Sequence, residues 1–137
     1  MVDFLSSLRI AATGLHAQNA RMRIIAENLA NVDSTGKTPE QDPYRRRIPT
    51  FKAVMDDEAG GEIVKIGKIA QDMTDFQTRY EPGHPAADKN GYVRYPNVDP
   101  LVEAMDMREA QRTYEANLNV VTITRQMLGR TLDILRG

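Results

Sequence analysis

Residues 99–136 read DPLVEAMDMREAQRTYEANLNVVTITRQMLGRTLDILR, with a single proline at the second position. Apolar or aromatic side chains recur in this stretch every seven residues: Met107, Tyr114, Val121, Leu128 and Leu135. The repeat predicts one long helix with an apolar seam like that of a coiled coil. Asp99 suits the N-cap of this helix, and Pro100 suits its first helical position.

Further side chains extend the seam of this helix. Ala110 and Asn117 follow the first two repeat positions by three residues, and Leu118 and Leu132 follow Tyr114 and Leu128 by four. We interpret the polar Asn117 as a residue that fixes register. The last third is apolar on more than one side, at Leu118, Val120, Val121, Ile123, Met127, Leu128, Leu132, Ile134 and Leu135. Each such side chain contributes roughly 1.5–3 kcal/mol when buried, so this helix needs several neighbours.

Residues 3–32 predict a second long helix. Four apolar residues are spaced by seven: Leu8, Leu15, Met22 and Leu29. Another residue of the pattern lies three positions before each of them: Leu5, Ala12, Asn19 and Ala26. The spacing indicates a coiled-coil register, although an ordinary amphipathic core helix uses the same spacing. At about 1.5 Å per residue, the two helices would be roughly 40 and 55 Å long, which favours an elongated unit.

The middle of the chain reads as loops and short strands. Residues 31–43 are rich in Asn, Asp, Ser, Thr, Gly and Pro, which is typical of a loop. We expect four extended segments, at 44–54, 62–71, 75–80 and 92–95, with turns at 56–61 and Asn90–Gly91. Pro49 would break the first segment. Residues 75–80 would continue the strand pairing of 62–71.

These patterns predict a mainly α fold with a small β-rich insertion. The long N- and C-terminal helices would form a coiled-coil-like unit. The expected helical domain comprises residues 1–32 plus 99–137, and residues 33–98 form a loop and a small β-rich domain. Periodicity alone leaves open whether the coiled coil forms within one chain or between chains.

Composition argues against several classes of function. The net charge is −1, so no basic field favours nucleic acid, and the run Arg45–Arg47 is more typical of a solvated face. The chain has no cysteine, which excludes disulfides and thiolate chemistry. No apolar run reaches the roughly 18 residues of a membrane span. The N-terminus has no basic region or apolar core of a signal peptide.

No catalytic constellation is visible in the sequence. The two histidines, His16 and His84, have no cluster of titratable side chains around them, and the carboxylates are scattered. No phosphate loop, nucleophile elbow or paired metal-ligand motif occurs. We therefore expect no enzyme activity, no cofactor, no metal and no small-molecule substrate.

Three motifs carry a resemblance to a known family. AENLANV at residues 26–32, followed by STG at 34–36, resembles the N-terminal signature of the flagellar axial proteins, the rod and hook subunits. A spacer at 37–43 before Tyr44 matches the proximal-rod members rather than the hook or distal rod. PGHPAADKNGYVRYPNVD at 82–99 and YEAN at 114–117 extend the resemblance over nearly the whole chain.

The resemblance implies a structural subunit of the bacterial flagellar basal body, within the periplasm-spanning rod that transmits torque. It implies three kinds of partner: copies of the chain itself, other flagellar rod subunits and the flagellar type III export apparatus. Export from the cytoplasm would then need no cleaved signal peptide. We expect the subunit interface to include Leu5, Leu8, Leu15, Met22, Leu29, Asn31, Tyr114, Asn117, Leu118, Val121, Leu128, Leu132 and Leu135.

A second hypothesis remains compatible with the helical patterns. A soluble coiled-coil adaptor or regulatory protein would bind a single partner helix. Such a protein needs one seam, whereas the last third of the C-terminal helix offers more than one. Stoichiometry distinguishes the two hypotheses, because an adaptor forms a closed complex and a rod subunit is present in many copies.

Overall fold

The structure is a computed structural model that describes residues 2–137. Met1, the first residue of the predicted helical domain, lies outside the described residues. Helix α1 spans Val2–Ala30 and helix α2 spans Pro100–Arg136. Between them in the chain lie six strands: β1 (Arg47–Ile48), β2 (Phe51–Asp56), β3 (Gly61–Ile66), β4 (Ala70–Gln71), β5 (Gln77–Tyr80) and β6 (Tyr92–Tyr95). The predicted fold class, mainly α with a small β-rich insertion, is confirmed.

The ends of both helices are capped by side chains. Asp99 Oδ1 accepts a hydrogen bond from the N–H of Leu101 at 3.0 Å, so the predicted N-cap of α2 is confirmed. Helix α1 ends two residues earlier than predicted. There Asn31 Nδ2 donates to the carbonyl of Glu27 at 2.8 Å and satisfies a carbonyl of the last turn.

The strands form three separate antiparallel pairs. β1 pairs with β4, β2 pairs with β3 over six residues from Phe51↔Ile66 to Asp56↔Gly61, and β5 pairs with β6. The prediction of one strand over 62–71 is wrong, and so is the expectation that 75–80 continues its pairing. The N–H of Gly67 donates to the carbonyl of Thr50 at 2.6 Å, and this bond closes the base of the β2–β3 hairpin.

Two glycines permit the turns that the sequence predicts. Gly60 has φ +71° at the tip of the β2–β3 hairpin, where Asp56 Oδ1 accepts from the N–H of Glu58 at 2.9 Å. Gly91 has φ +87°, and a Cβ at this position would lie 2.8 Å from the ring of Tyr80. The positive φ favours glycine at both turns, and at Gly91 a Cβ would also collide with the ring.

The chain divides into two compact units. Unit 1 comprises α1 up to Met22, Thr50–Lys68 and Arg108–Gly137, and unit 2 comprises Arg23–Pro49 and Ile69–Met107. Each unit contains part of both helices and some of the strands. The predicted division into a helical domain and a β-rich domain stays a prediction.

The cores of the two units differ in composition. Unit 1 buries mostly small side chains: Ala11, Ala17, Ala59, Ile63 and Ala110. Unit 2 buries larger ones: Ile24, Ile25, Val93, Tyr95 and Val98. Small side chains allow elements to approach closely but bury little apolar area each, so unit 1 gains less from its own core.

Candidate assembly interface

The predicted seam of α2 faces α1 within unit 1. Tyr114, Val121 and Leu128 are half-buried. Of the two seam residues predicted three positions after the repeat, Ala110 is buried and Asn117 is half-buried. Other members of the predicted interface are exposed on the same helix: Leu118, Leu132 and Leu135. The predicted interface residues of α2 therefore include side chains that pack within the chain and side chains that remain exposed to solvent.

Helix α1 buries a different row from the one that the heptad pattern predicts. The predicted row Leu5, Ala12, Asn19 and Ala26 is exposed, and Leu5 retains 58% of its accessible surface. The leucine row, Leu8, Leu15, Met22 and Leu29, is half-buried, as is Asn31. The heptad register is compatible with packing within one chain or between chains, and the role of these residues in a subunit interface stays a prediction. Within the chain, the closest contact between α1 and α2 is made at small residues of α1, because they let the two helices approach closely.

The closest approach of the two helices lies at Gly14. A Cβ at this position would lie 2.7 Å from Nδ2 of Asn117. Farther along, Arg21 Nη2 of α1 forms an ion pair with Glu109 Oε2 of α2 at 3.5 Å. Within unit 1 the helices therefore run antiparallel, since residue numbers rise along one as they fall along the other. The role of Asn117 in fixing register stays a prediction.

Among the clefts beside this helix pair in unit 1, two are lined by leucine side chains of α1. The larger has a volume of about 720 Å³ and is lined by Leu5, Ser6, Leu8, Arg9, Ala12, Leu15, Glu58, Val121 and Arg125. The smaller has a volume of about 250 Å³ and is lined by Ala12, Leu15, His16, Asn19 and Tyr114. The structure therefore brings five predicted interface residues together around open clefts: Leu5, Leu8, Leu15, Tyr114 and Val121.

A polar centre that the interface prediction omitted lies in unit 2. Asn28 is buried, and both polar atoms of its side chain form hydrogen bonds. Its Oδ1 accepts from the Tyr44 hydroxyl at 2.7 Å and from the N–H of Arg47 at 3.0 Å. Its Nδ2 donates to the carbonyl of Arg47 at 2.9 Å and lies 3.4 Å from Glu103 Oε2. Asn28 thereby ties the end of α1 to β1 and to the start of α2.

Glu103 is fully buried, at 0% exposure, and is paired with Arg46 through a short contact between Oε1 and Nε. The guanidinium of Arg46 also reaches Asp72 Oδ2 at 3.3 Å and Asp106 Oδ2 at 3.4 Å. The N–H of Arg46 donates to Asn97 Oδ1 at 2.8 Å. A buried carboxylate that is paired and hydrogen-bonded in this way avoids the cost of an isolated buried charge.

The environment of this network shifts three pKa values. Burial alone lowers the pKa of Arg46, but the hydrogen bonds and charges of Glu103 and Asp72 outweigh it and raise the pKa above its ordinary value. The N–H of Thr74 is the largest cause that holds the pKa of Asp72 below its usual value. Burial raises the pKa of Tyr44, so its hydroxyl remains a hydrogen-bond donor to Asn28.

The interpretation of Arg45–Arg47 as a solvated face is wrong. Arg46 belongs to the buried network, and Arg47 Nη1 pairs with Glu27 Oε2 at 2.8 Å. The guanidinium of Arg45 lies 4.1 Å from the centre of the Phe76 ring and donates to the carbonyl of Asp72 at 2.8 Å. Arginine forms such contacts because its planar group both stacks and donates several hydrogen bonds.

Metal-ligating side chains do not cluster within the described residues. His84 Nδ1 accepts from the N–H of Ala86 at 3.0 Å, a local bond that shapes the loop. Among the side chains that the structure places, no group of three His, Cys, Asp or Glu residues could hold a metal ion. Neither helix of residues 2–137 is long and apolar enough to cross a membrane.

Two organising residues were missed by the interpretation of the sequence, although a signal existed for each. Asn28 lies inside the AENLANV motif that carries the family resemblance. Glu103 begins a seven-residue row that continues through Ala110, Asn117, Thr124 and Thr131. A carboxylate in line with a buried row indicates a buried ion pair, but the sequence does not name its partner.

Comparisons with protein families match both ends of the chain. A family described as flagella basal body rod protein matches residues 8–36. A family described as flagellar basal body rod FlgEFG protein C-terminal matches residues 89–134. The two matched segments include much of α1 and of α2, together with the AENLANV and YEAN motifs.

Individual relatives are similar over nearly the whole chain. The flagellar basal-body rod protein FlgC of Agrobacterium fabrum is 50% identical over 129 residues, which cover 94% of this chain and 93% of the relative. The FlgC protein of Aquifex aeolicus is 38% identical, over 97% of this chain and 98% of the relative. That of Salmonella typhimurium is 38% identical, over 95% and 96%.

Proposed function

Because the chain belongs to the family of the flagellar basal-body rod protein FlgC, we propose that its terminal helices hold it in the rod by packing against neighbouring subunits. The chain is a structural subunit of the basal-body rod and not an enzyme. One observation carries the proposal: the end of α2 exposes large apolar side chains, at Leu118, Val120, Ile123, Met127, Leu132, Ile134 and Leu135.

Exposed apolar surface of this extent favours a partner. Soluble monomers rarely leave large contiguous apolar patches open, and such patches mark interaction sites. Each side chain that becomes buried on assembly contributes roughly 1.5–3 kcal/mol. Seven such side chains on one helix can offset the loss of freedom on association.

The thirteen residues expected at the interface fall into two groups in this proposal. Leu5, Leu118, Leu132 and Leu135 are exposed and would contact neighbours directly. The others are half-buried and would shape the surface that neighbours meet: Leu8, Leu15, Met22, Leu29, Asn31, Tyr114, Asn117, Val121 and Leu128. The neighbours would be copies of the chain and other rod subunits.

The place of the subunit and its route to that place are also part of the proposal. We infer a position in the proximal rod, which spans the periplasm and transmits torque, from the family resemblance and from the spacer at residues 37–43. Delivery would use the flagellar type III export apparatus without a cleaved signal peptide. The absence of cysteine is compatible with passage between reducing and oxidising compartments.

The adaptor hypothesis is not favoured. A soluble coiled-coil adaptor needs one seam, but α2 already uses Tyr114, Val121 and Leu128 inside its own chain. It still exposes further apolar side chains on other sides. The near full-length similarity to basal-body rod proteins points in the same direction.

The proposal can be tested with Leu132→Asp in a strain that lacks the native protein. The side chain is exposed, so the chain should still fold and be exported, whereas a charge buried at a subunit contact should prevent incorporation. We expect swimming in soft agar to be lost and the variant to be absent from isolated basal bodies. The exported protein outside the cytoplasm should stay at the wild-type amount.

Thr122→Asp is the matched control, because Thr122 is exposed on the same helix but already carries a polar side chain. It should swim normally and copurify with basal bodies. Normal swimming by Leu132→Asp would contradict the proposed interface. Absence of the wild-type protein from isolated basal bodies would contradict the proposed function as a whole.

A further inference from the structure

We propose that Asn90 is a site of spontaneous deamidation, which the folded chain keeps closed and the unfolded chain opens. Asn90–Gly91 is the only Asn–Gly pair in the sequence, and it lies directly before β6. The side chain of Asn90 is exposed, so water reaches its amide. The inference goes beyond the proposed function, because it concerns the chain before it joins any assembly.

Deamidation at such a pair is an intramolecular reaction followed by hydrolysis. The main-chain nitrogen of Gly91 loses its proton to hydroxide and forms a bond to Cγ of Asn90. The side-chain nitrogen takes a proton from water and leaves as ammonia, which gives a five-membered succinimide ring. A water molecule then opens the ring at either carbonyl, so the product is aspartate or isoaspartate. Glycine favours ring closure because it has no Cβ to obstruct the attack.

In the folded chain the attacking nitrogen is held in a turn. The N–H of Gly91 donates to the carbonyl of Asp88 at 3.0 Å, and Gly91 is buried. Loss of this proton would remove the hydrogen bond at a buried position, which is costly. The turn also fixes the backbone of Gly91 at φ +87°. Attack on Cγ of Asn90 therefore requires that the turn first open.

Asp88 is the positioning residue of this turn. Its Oδ1 accepts from the N–H of Asn90 at 2.8 Å and from the N–H of Tyr92 at 2.9 Å. Its own N–H donates to the carbonyl of Tyr92 at 2.9 Å. One carboxylate thus holds the residues on both sides of Gly91. Without it only main-chain bonds would remain, so the turn should open more often.

The modified chain does not fit the same turn. Isoaspartate directs the main chain through Cβ and Cγ of residue 90, which adds a carbon atom before the nitrogen of Gly91. The surroundings of Gly91 leave little room, because a Cβ there would lie 2.8 Å from the Tyr80 ring and 3.1 Å from Cβ of Pro82. The carbonyl of Gly91 also accepts from the N–H of Glu81 at 2.9 Å. The other product, aspartate, places a second carboxylate near Asp88, and like charges repel.

Folding and deamidation therefore exclude each other at this turn. A chain that folds promptly keeps Asn90 intact. A chain that stays unfolded gradually loses the ability to pair β5 with β6. The Asn90–Gly91 pair thus limits the time for which an unfolded copy can still fold.

Mass spectrometry of the purified full chain can test whether the fold closes the site. The chain is incubated at neutral pH with and without urea and is then digested with pepsin in acid, where the attacking nitrogen keeps its proton. The measured quantity is the fraction of peptides spanning residues 90 and 91 that carry aspartate or isoaspartate. We expect conversion in urea and at least about tenfold slower conversion without urea, because the turn must open first.

Asp88→Ala separates the effect of the fold from the chemistry of the Asn–Gly pair. Without urea this variant should convert several-fold faster than wild type, and in urea the two chains should convert equally fast. Asp75→Ala is the matched control, because Asp75 is an exposed aspartate of the same unit, and it should follow wild type in both conditions. Equal conversion of wild type with and without urea would overturn the inference. So would an Asp88→Ala variant that converts no faster than wild type without urea.

Removal of urea from a partly converted sample tests whether the modified chain can close the turn. Hydrogen exchange followed by mass spectrometry distinguishes the converted and the unconverted chains in the same sample. Unconverted chains should regain protection over β5 and β6, whereas chains with isoaspartate should exchange rapidly there. Equal protection of the two populations would overturn the proposed exclusion between folding and deamidation.

Discussion

The two ends of α2 are stabilised in different ways. At its start, Glu103 is buried among arginine and amide side chains of unit 2. At its end, Ile123, Ile134 and Leu135 project large apolar side chains into solvent. The start is thus fixed by polar contacts that the chain supplies to itself, and the end carries exposed apolar surface that a neighbour can cover.

The difference extends to the two units that contain these ends. In unit 2 the polar groups of Asn28, Arg46 and Glu103 satisfy one another, so their geometry specifies a single arrangement of the backbone. In unit 1 the core consists largely of alanine side chains, and open clefts adjoin the helices. Substitutions in unit 2 should therefore change the stability of the chain, and substitutions on the end of α2 should change assembly.

The largest expected effect comes from Glu103→Ala. Removal of this carboxylate leaves the half-buried guanidinium of Arg46 with only its longer contacts to Asp72 and Asp106, which should lower the free energy of unfolding by about 3–5 kcal/mol. Urea denaturation followed by tyrosine fluorescence can measure the change. Four of the five tyrosines, Tyr44, Tyr80, Tyr92 and Tyr95, lie in unit 2 and report on it.

Glu115→Ala is the control for this prediction, because Glu115 is exposed on the same helix. Its change in unfolding free energy should stay within about 0.5 kcal/mol. Equal stability of the two variants would show that the buried ion pair does not fix the start of α2.

A smaller effect is expected from Asn28→Ala. The change leaves the Tyr44 hydroxyl and the N–H of Arg47 without their acceptor, which should cost roughly 2–3 kcal/mol. Adding Tyr44→Phe to the Asn28→Ala variant removes one of the two donors that have lost their acceptor. The double variant should therefore be destabilised by less than the sum of the two single changes. Strict additivity would argue against a shared network.

Asp72 should make the stability of unit 2 depend on pH. Its pKa lies below the ordinary value near 3.8 in the folded chain. Such a carboxyl stabilises the fold above the unfolded-state pKa, and this contribution is lost as the pH falls through the folded-state pKa. Asp72→Asn should lower the unfolding free energy by about 1 kcal/mol at pH 7. The difference from wild type should shrink below about pH 4.

Asp75→Asn is the control for the pH experiment, because Asp75 is exposed three residues farther on. Its unfolding free energy should follow the wild-type curve from pH 7 down to about pH 3. A difference between Asp72→Asn and wild type that stays constant over the same range would contradict a role for the ionised carboxylate.

Elements with local signals were predictable from the sequence. The seven-residue repeat located α2, and the Asp99–Pro100 pair located its first turn. The Asn90–Gly91 turn and strand β6 were predictable because the turn requires a positive φ that glycine adopts without strain. In each case the determining interactions involve residues close together in the chain.

Features that depend on distant residues were not predictable in the same way. Arg46 pairs with Glu103, 57 residues away, and no local pattern distinguishes it from a solvated arginine. The row that α1 buries within the chain depends on which side chains let α2 approach, so the seven-residue spacing of leucines does not locate it. For the candidate interface, the sequence indicated an excess of apolar surface but not the direction in which each row points.

The smallest expected effect on stability comes from Ile134→Ser, at the end of α2. Ile134 is 79% exposed, so the purified chain should keep its unfolding free energy within about 0.5 kcal/mol. Ile24→Ser is the matched change at a buried position and should cost several-fold more. In cells, we expect Ile134→Ser to reduce incorporation into basal bodies despite its small effect on stability, because the apolar contact that it removes lies between subunits. A large loss of stability in the purified Ile134→Ser chain would mean that this surface is already covered within one chain.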